Sequence, residues 1–537
     1  MQARRLLWIV ALGLGLALTV ALLTALNPSL EVAHAWPVPT PGDTRPPGPA
    51  FVKPGGTGGW CLQNDPCGSI QYAIEQCEPG NGDIIYVAGG TYTSTGSAVI
   101  SVTKSITLYG GWNGTTTTPV VRDPDTYATI MDAENGRRVV YITGTVAPIL
   151  EGFTLQRGNA SGLGGDPVLA NYGFGGAVYA NNASPVITNC RILSSTAGFG
   201  GGLALYYGAP TVGNSVVLSN TASQSATGQL RGVGGGMFLY GSPATIVGNV
   251  VMNNVAAGDD LMYDGGGGLY LDGSQAVIRS NTIQSNSGRY RGGGLYIYQS
   301  GATVRDNAIL NNNATSYGGG VYMVMSPTDL EANTILDNGA SQYGGGLLVG
   351  GCAPFTLTNN IIARNSAQVT GPALYVARYK ETPGSTEYPS QGTLLHNTFA
   401  DNNSPLVPWM IHVDLSTNLA LTNTIIDKPG GITVTTGSSV TLDTTLWNPS
   451  LLLQPGLTVS GTGSVISSTN YYSEPGVISS TFHLGPNSPA IDQGANAGVT
   501  TDIDGESRPE GAGYDIGADE FYQQQWAIYL PLVLRDS

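Results

Sequence analysis

Runs of glycine return through the middle of this chain at a nearly constant step, ending at Gly176, Gly202, Gly236, Gly268, Gly294, Gly320 and Gly346. The intervals are 26, 34, 32, 26, 26 and 26 residues. A second marker keeps phase with them. Asn281, Asn307 and Asn333 stand 26 residues apart and Asn360 follows after 27, each opening an Asn-x-Ile-x-x-Asn phrase. Self-similarity at a period of roughly 20–50 residues marks a solenoid or a related array. A unit of that size cannot bury its apolar face alone and must stack on its neighbours. The unit from Gly292 to Tyr317 holds three strand-sized pieces, at 294–298, 302–305 and 308–310. Three short strands per coil fit a parallel β-helix, whereas a propeller blade needs four strands in roughly 40 residues or more. The crossover rule for parallel strands makes the winding right-handed. The expectation is therefore a right-handed, single-stranded parallel β-helix of about a dozen coils.

Strand periodicity assigns the faces. The residue after each glycine run is apolar (Leu203, Met237, Leu269, Leu295, Val321, Leu347) and is expected to point inward. The next residue then points outward. The internal asparagines are expected to form stacked ladders between coils, and the triple glycines to supply positive φ at a tight corner.

Glycine makes up 77 of 537 residues, yet 41% of the chain is hydrophobic, which separates it from disordered Gly-rich chains. A net charge of −15 with no basic stripe argues against a nucleic-acid partner. Residues 1–35 read as a signal peptide or an N-terminal membrane anchor. Arg4 and Arg5 precede an apolar run from Leu6 to Leu26, and Ala33-His34-Ala35 offers a small-x-small cleavage site. Either alternative places the bulk of the chain at the cell surface or outside the cell. A Pro-rich linker follows at 36–50, then an N-terminal cap at 51–83. Within the cap, Ile70, Ala73 and Ile74 share one face of a short amphipathic helix. Cys61, Cys67 and Cys77 allow one disulfide of undetermined pairing, while Cys190 and Cys352 lie too many coils apart to pair and read as buried thiols. The β-helix is expected over 84–480, a terminal module over 481–521 and a tail over 522–537.

The repeats resemble right-handed parallel β-helix repeats of bacterial secreted proteins. Gly175-Gly-Ala-Val178 and Phe399-Ala-Asp-Asn402 are also similar to repeats of polymorphic outer-membrane adhesins. Ser488-Pro-Ala-Ile-Asp-Gln-Gly494, Asp502-Ile-Asp-Gly505 and Asp515-Ile-Gly-Ala-Asp-Glu-Phe521 resemble the choice-of-anchor Q module of surface proteins, and the tail 528–535 resembles tails of secreted Chloroflexi proteins. The resemblance implies an exported surface protein whose membrane contact runs only through a retained N-terminal segment or C-terminal anchoring. The fold itself hosts lyases, hydrolases, adhesins and structural proteins alike.

Three groups of residues are candidates for function. Phe238, Tyr270, Tyr296 and Tyr322 share the outward position in successive coils, and Tyr240 and Tyr298 lie two residues further on. Exposed, such a stripe stacks on sugar rings of a polysaccharide or matrix component; otherwise it is a sheet-stabilising ladder or lies under a loop. Asp259, Asp260 and Asp264, with Asp272, form an acidic patch one coil from Arg289 and Arg291, the composition a polysaccharide lyase or glycoside hydrolase would need. Asp502, Asp504, Asp515 and Asp519, with Glu520, offer oxygen ligands suited to Ca²⁺ or serve as turn residues; no other cofactor is implied. Adhesion or surface structure is the expected role, with catalysis as the alternative.

Overall fold

In the computed structural model, the described residues are 48–77, 83–165, 171–226, 229–259, 264–380, 385–407, 409–428, 431–448, 458–459 and 463–522. The signal or anchor segment, almost all of the linker and the last fifteen residues lie outside them. Among the described residues no helix is long and apolar enough to cross a membrane.

The chain winds through parallel strands. One face is a sheet of 13 strands, beginning at Ala98–Val102 and including Leu269–Asp272, Leu295–Tyr298 and Val321–Val324. Successive strands pair in register, Leu269 with Leu295 and Leu295 with Val321. The second sheet, of 29 strands, bends at the internal asparagines, so that Thr303–Arg305 and Ala308–Leu310 lie on its two limbs. A strip of seven two-residue strands closes each regular coil. The longer step from Gly202 to Gly236 comes from an antiparallel hairpin, Gln224–Ala226 with Gln229–Arg231.

The asparagines hold the bend. Asn312 Oδ1 accepts both the backbone N–H and the side-chain Nδ2–H of Asn286, each at 3.0 Å. Its own Nδ2 donates to Asn338 Oδ1 at 3.0 Å and to Ile283 O at 2.8 Å. The residue before each asparagine takes the left-handed conformation that turns the corner: Asp306 (φ 56°), Asn311 (φ 54°) and Asp337 (φ 58°). The other corner belongs to glycine for two different reasons. The first glycine of each run has positive φ, 55° at Gly292 and 63° at Gly318. The others do not need that freedom but have no room for a Cβ, which would sit 2.4 Å from Gly319 O at Gly293 and 2.6 Å from Gly320 O at Gly294.

Leu203, Met237, Leu269, Leu295, Val321 and Leu347 all point inward and are wholly buried in one continuous core. The helix (α1, Ile70–Gln76) forms as the spacing predicts, with Ser69 as N-cap and Ile70, Ala73 and Ile74 buried against the end of the solenoid. Lys104 reaches from the first coils to the carbonyls of Ile74 and Cys77, at 3.1 and 2.5 Å, closing its C-terminus. Cys61 pairs with Cys67, and Cys77, Cys190 and Cys352 are buried thiols. Cys352 stands in a serine ladder, accepting from Ser326 N.

Asn312→Ala orphans two buried donors of Asn286, at about 1–3 kcal/mol each. We expect a loss of roughly 2–6 kcal/mol in urea unfolding, while the exposed Asn313→Ala stays within about 0.5 kcal/mol.

Candidate functional site

The outward row forms as expected, but it is not exposed. Phe238 is 3% accessible, Tyr270 2%, Tyr296 0%, Tyr298 8% and Tyr322 5%. A second row covers it. The residue just before each glycine run bridges to its counterpart in the next coil, giving the column Phe174, Phe199, Val233, Gly265, Arg291, Tyr317, Tyr343 and Thr370. The tight glycine corner folds this column beside the strand row, and the two rows make an apolar layer separate from the inner core. Phe199 packs on Phe238 at 5.2 Å between centroids, and Tyr270 meets Tyr296 edge-on at 4.5 Å. The buried rings therefore consolidate the face and leave no platform of their own for a sugar. The covering column recurs at the same offset in the sequence, so the glycine period itself could have revealed it.

What remains open on this face is its border. Tyr317, Tyr343, Tyr375 and His412 are half-buried and stack in sequence, at 5.8, 4.9 and 5.0 Å with interplanar angles of 11°, 26° and 6°. Tyr375 donates to Asp414 Oδ2 at 2.7 Å, which fixes its ring. A smaller group lies further along, where half-buried Tyr206 and Tyr240 stack at 4.7 Å and Tyr207 stands 45% exposed beside them.

Among the described residues, the members of the acidic patch do not converge on one another or on Arg291. Asp259 is exposed, and Asp260 lies outside the described residues. Asp264 is wholly buried, with Oδ1 accepting from Gly232 N at 3.1 Å, a corner-building role. Asp272 sits at the far end of its strand, in register between Tyr240 and Tyr298, where burial lifts its carboxyl to about 6. Arg291, the base candidate, is half-buried with its guanidinium 5.5 Å over the Tyr322 ring, and it is hydrogen-bonded to Tyr296. It serves the aromatic layer.

Residues 474–522 do not form a free module. They pack against the flank of the last coils, burying Phe482 with Ile361, Ala363 and Ala400, and Leu484, Ala490 and Ile516 with Ile425 and Leu446. Asn423 Oδ1 and Nδ2 exchange hydrogen bonds with Ala495 N and O at 2.8 and 2.7 Å, which fixes the amide orientation. Asn423 Nδ2 also donates to His396 Nε2 at 2.8 Å. Burial, reinforced by Arg508, pushes the His396 imidazole down to about 3, so it is neutral.

Inside the module, carboxylates organise turns by accepting backbone N–H groups. Asp502 takes Asp504 N, Glu506 N and Glu520 N; Asp515 takes Asp492 N and Phe521 N. Arg508 and Glu520 form an ion pair at 2.7 Å with both side chains inaccessible. Arg508 also bonds Gly517 O, and Glu520 also accepts from Glu510 N and Asp515 N. Of the four aspartates expected to hold a cation, Asp502 and Asp515 are thus committed to the chain itself. Asp504 and Asp519 come together with His483 instead. A cleft of about 210 Å³ opens between module and coils, lined by Asp401, Asp427, Lys428, Glu474 and Phe482. Burial, then the neighbouring Asp427, raises the Asp401 carboxyl.

A family model described as a right handed beta helix region matches residues 262–470. No curated protein matches the sequence. Among solved structures, the chain resembles pectate lyase Pel9A, with 13% identity over 88% of this chain and 96% of that one and a TM-score of 0.34. It resembles the A-module of the Azotobacter vinelandii mannuronan C-5 epimerase AlgE6, with 14% identity over 76% and 94% and a TM-score of 0.33. It also resembles PfbA, a surface adhesin of Streptococcus pneumoniae, with 11% identity over 75% and 87% and a TM-score of 0.29. No chemistry follows from likeness at this level.

Two outcomes follow from this geometry. Tyr270→Ala is a core truncation and is expected to cost about 3–5 kcal/mol in denaturant unfolding, whereas the exposed Tyr207→Ala stays within about 0.5 kcal/mol. His396 is neutral when folded, while the unfolded chain takes up its proton near pH 6.5, so its stabilising contribution is complete above that pH and is lost as the pH falls toward 3. Amide-exchange protection over 482–520 should therefore fall in the parent, relative to His396→Gln, between about pH 7.5 and about pH 5; a constant difference would show that His396 does not titrate there. The strand registers and the family match agree on the architecture: the chain is a right-handed parallel β-helix with a short helical cap.

Proposed function

We propose that this chain is an exported surface or matrix β-helix that holds extended polysaccharide without cleaving it. The observation that carries this reading is the half-buried stack of Tyr317, Tyr343, Tyr375 and His412. Its ring spacing follows the coil repeat, and ring faces of this kind pack on the apolar faces of sugars. On the same face, Asp264 and Arg291 are committed to structure, so the described residues bring no acid pair to a base there. The dense module clamped to the last coils supports a scaffold role over a free-swinging anchor.

A second reading rests on the cleft lined by Asp401, Asp427, Lys428 and Glu474, where acidic groups meet a lysine beside the module. A raised carboxyl such as Asp401 suits a general acid. The test is a panel of acidic and neutral polysaccharides incubated with the full chain, scoring retention and chain cleavage together. Retention without cleavage, weakened about tenfold or more by Tyr317→Ala with Tyr343→Ala, is the expected result, since aromatic stacking contributes on the order of 1 kcal/mol or more per ring. Cleavage abolished by Asp401→Asn would replace the binding reading with the catalytic one.

A further inference from the structure

We propose that His483, Asp504 and Asp519 form a binding site for a divalent first-row transition ion of the Zn²⁺ type, which pins the C-terminal module to itself. The three side chains come from separate turns of the module, and each offers a ligand atom within 4.8 Å of the other two. His483 Nε2 lies 3.0 Å from Asp504 Oδ2 and 4.0 Å from Asp519 Oδ1. Ligands about 2.1 Å from a tetrahedral ion stand about 3.4 Å apart, so these separations surround such a centre with only small side-chain adjustment.

The orientation of the groups supports an ion over a simple ion pair. Both ring nitrogens of His483 are shielded from solvent without a hydrogen bond of proper geometry, even though Asp504 Oδ2 is at hydrogen-bonding distance from Nε2. An oxygen and a nitrogen that approach without pointing at each other are placed to share a third atom. Asp519 is divided in the way a ligand needs: Oδ2 accepts from Leu484 N at 2.7 Å, and Oδ1 is the atom turned toward His483. That amide belongs to the residue next to His483, so the turn carrying the imidazole and the carboxylate that faces it are already fastened together. The donor set selects the metal. Ca²⁺ takes oxygen ligands alone, whereas one imidazole with two carboxylates suits Zn²⁺ and its neighbours. Asp504 is exposed, leaving space for water to complete the coordination.

The experiment uses the full chain stripped with EDTA, then titrated with Zn²⁺ or Co²⁺ and followed by equilibrium dialysis, the visible Co²⁺ spectrum and the melting midpoint. The expected result is one ion per chain at this site and a midpoint several degrees higher with Zn²⁺. Affinity should drop about tenfold or more in His483→Gln and in Asp504→Asn, since even indirect changes around a metal produce losses of that size. Because Asp504 is exposed, Asp504→Asn should leave the metal-free midpoint where it was, separating ion binding from folding. Absence of stoichiometric binding, displacement of the ion by equimolar Ca²⁺, or binding unchanged in both variants would overturn the proposal.

Discussion

Everything in this molecule depends on keeping identical backbone positions stacked from coil to coil. At the glycine corner a Cβ at Gly293 or Gly294 would lie inside the carbonyl of the next coil. At the asparagine bend each side chain uses its full hydrogen-bonding capacity on the coils either side. The two devices act together. Glycine allows the closest approach, and asparagine makes a one-residue slip costly because each rung would leave buried amide groups unsatisfied. Cys352 in the serine ladder shows that the position demands a small hydrogen-bonding side chain more than one particular residue.

That stacking has a consequence on the outside. A corner tight enough for glycine brings the residue before it alongside the second residue of the strand, so two columns of side chains share one surface. Where both columns are aromatic they bury each other, and a second apolar layer forms outside the inner core. The surface left for recognition is the border of that layer, where Tyr317, Tyr343 and Tyr375 keep part of each ring in solvent. A row of rings on a rigid solenoid suits an extended ligand, because the protein has little to reorganise on binding.

The C-terminal module solves a different problem. It has few apolar residues and almost no regular strand, so its turns are held by carboxylates capturing backbone N–H groups around the inaccessible Arg508–Glu520 pair. A buried pair of this kind is costly to break from one side, by about 3–5 kcal/mol. It specifies one arrangement of several loops at once. Phe482 and Leu484 then anchor those loops to the flank of the coils, with neutral His396 and Asn423 at the seam.

The repeat, the inward row, the asparagine ladders and the helix from Ile70 to Gln76 were legible in the chain because each is a local pattern. Period two decides which side of a strand faces in, and a fixed step of 26 residues decides which residues meet between coils. The burial of Tyr270 and Tyr296 does not follow from strand alternation alone: the covering column recurs at a constant offset before them, but only the geometry of the glycine corner lays it over their rings. Asp264 and Arg291 looked like neighbours in an acid–base site, yet one is turned to a backbone amide and the other to tyrosine rings. Likewise the approach of His483 to Asp504 and Asp519 joins three separate turns of a segment without periodicity. Sequence by itself determined the solenoid and its register, because those follow from spacing along the chain. Only the tertiary structure decided that the glycine corner lays one column over another and which groups of the C-terminal segment face one another, because the first depends on the corner's geometry and the second joins turns whose separation in sequence carries no fixed period.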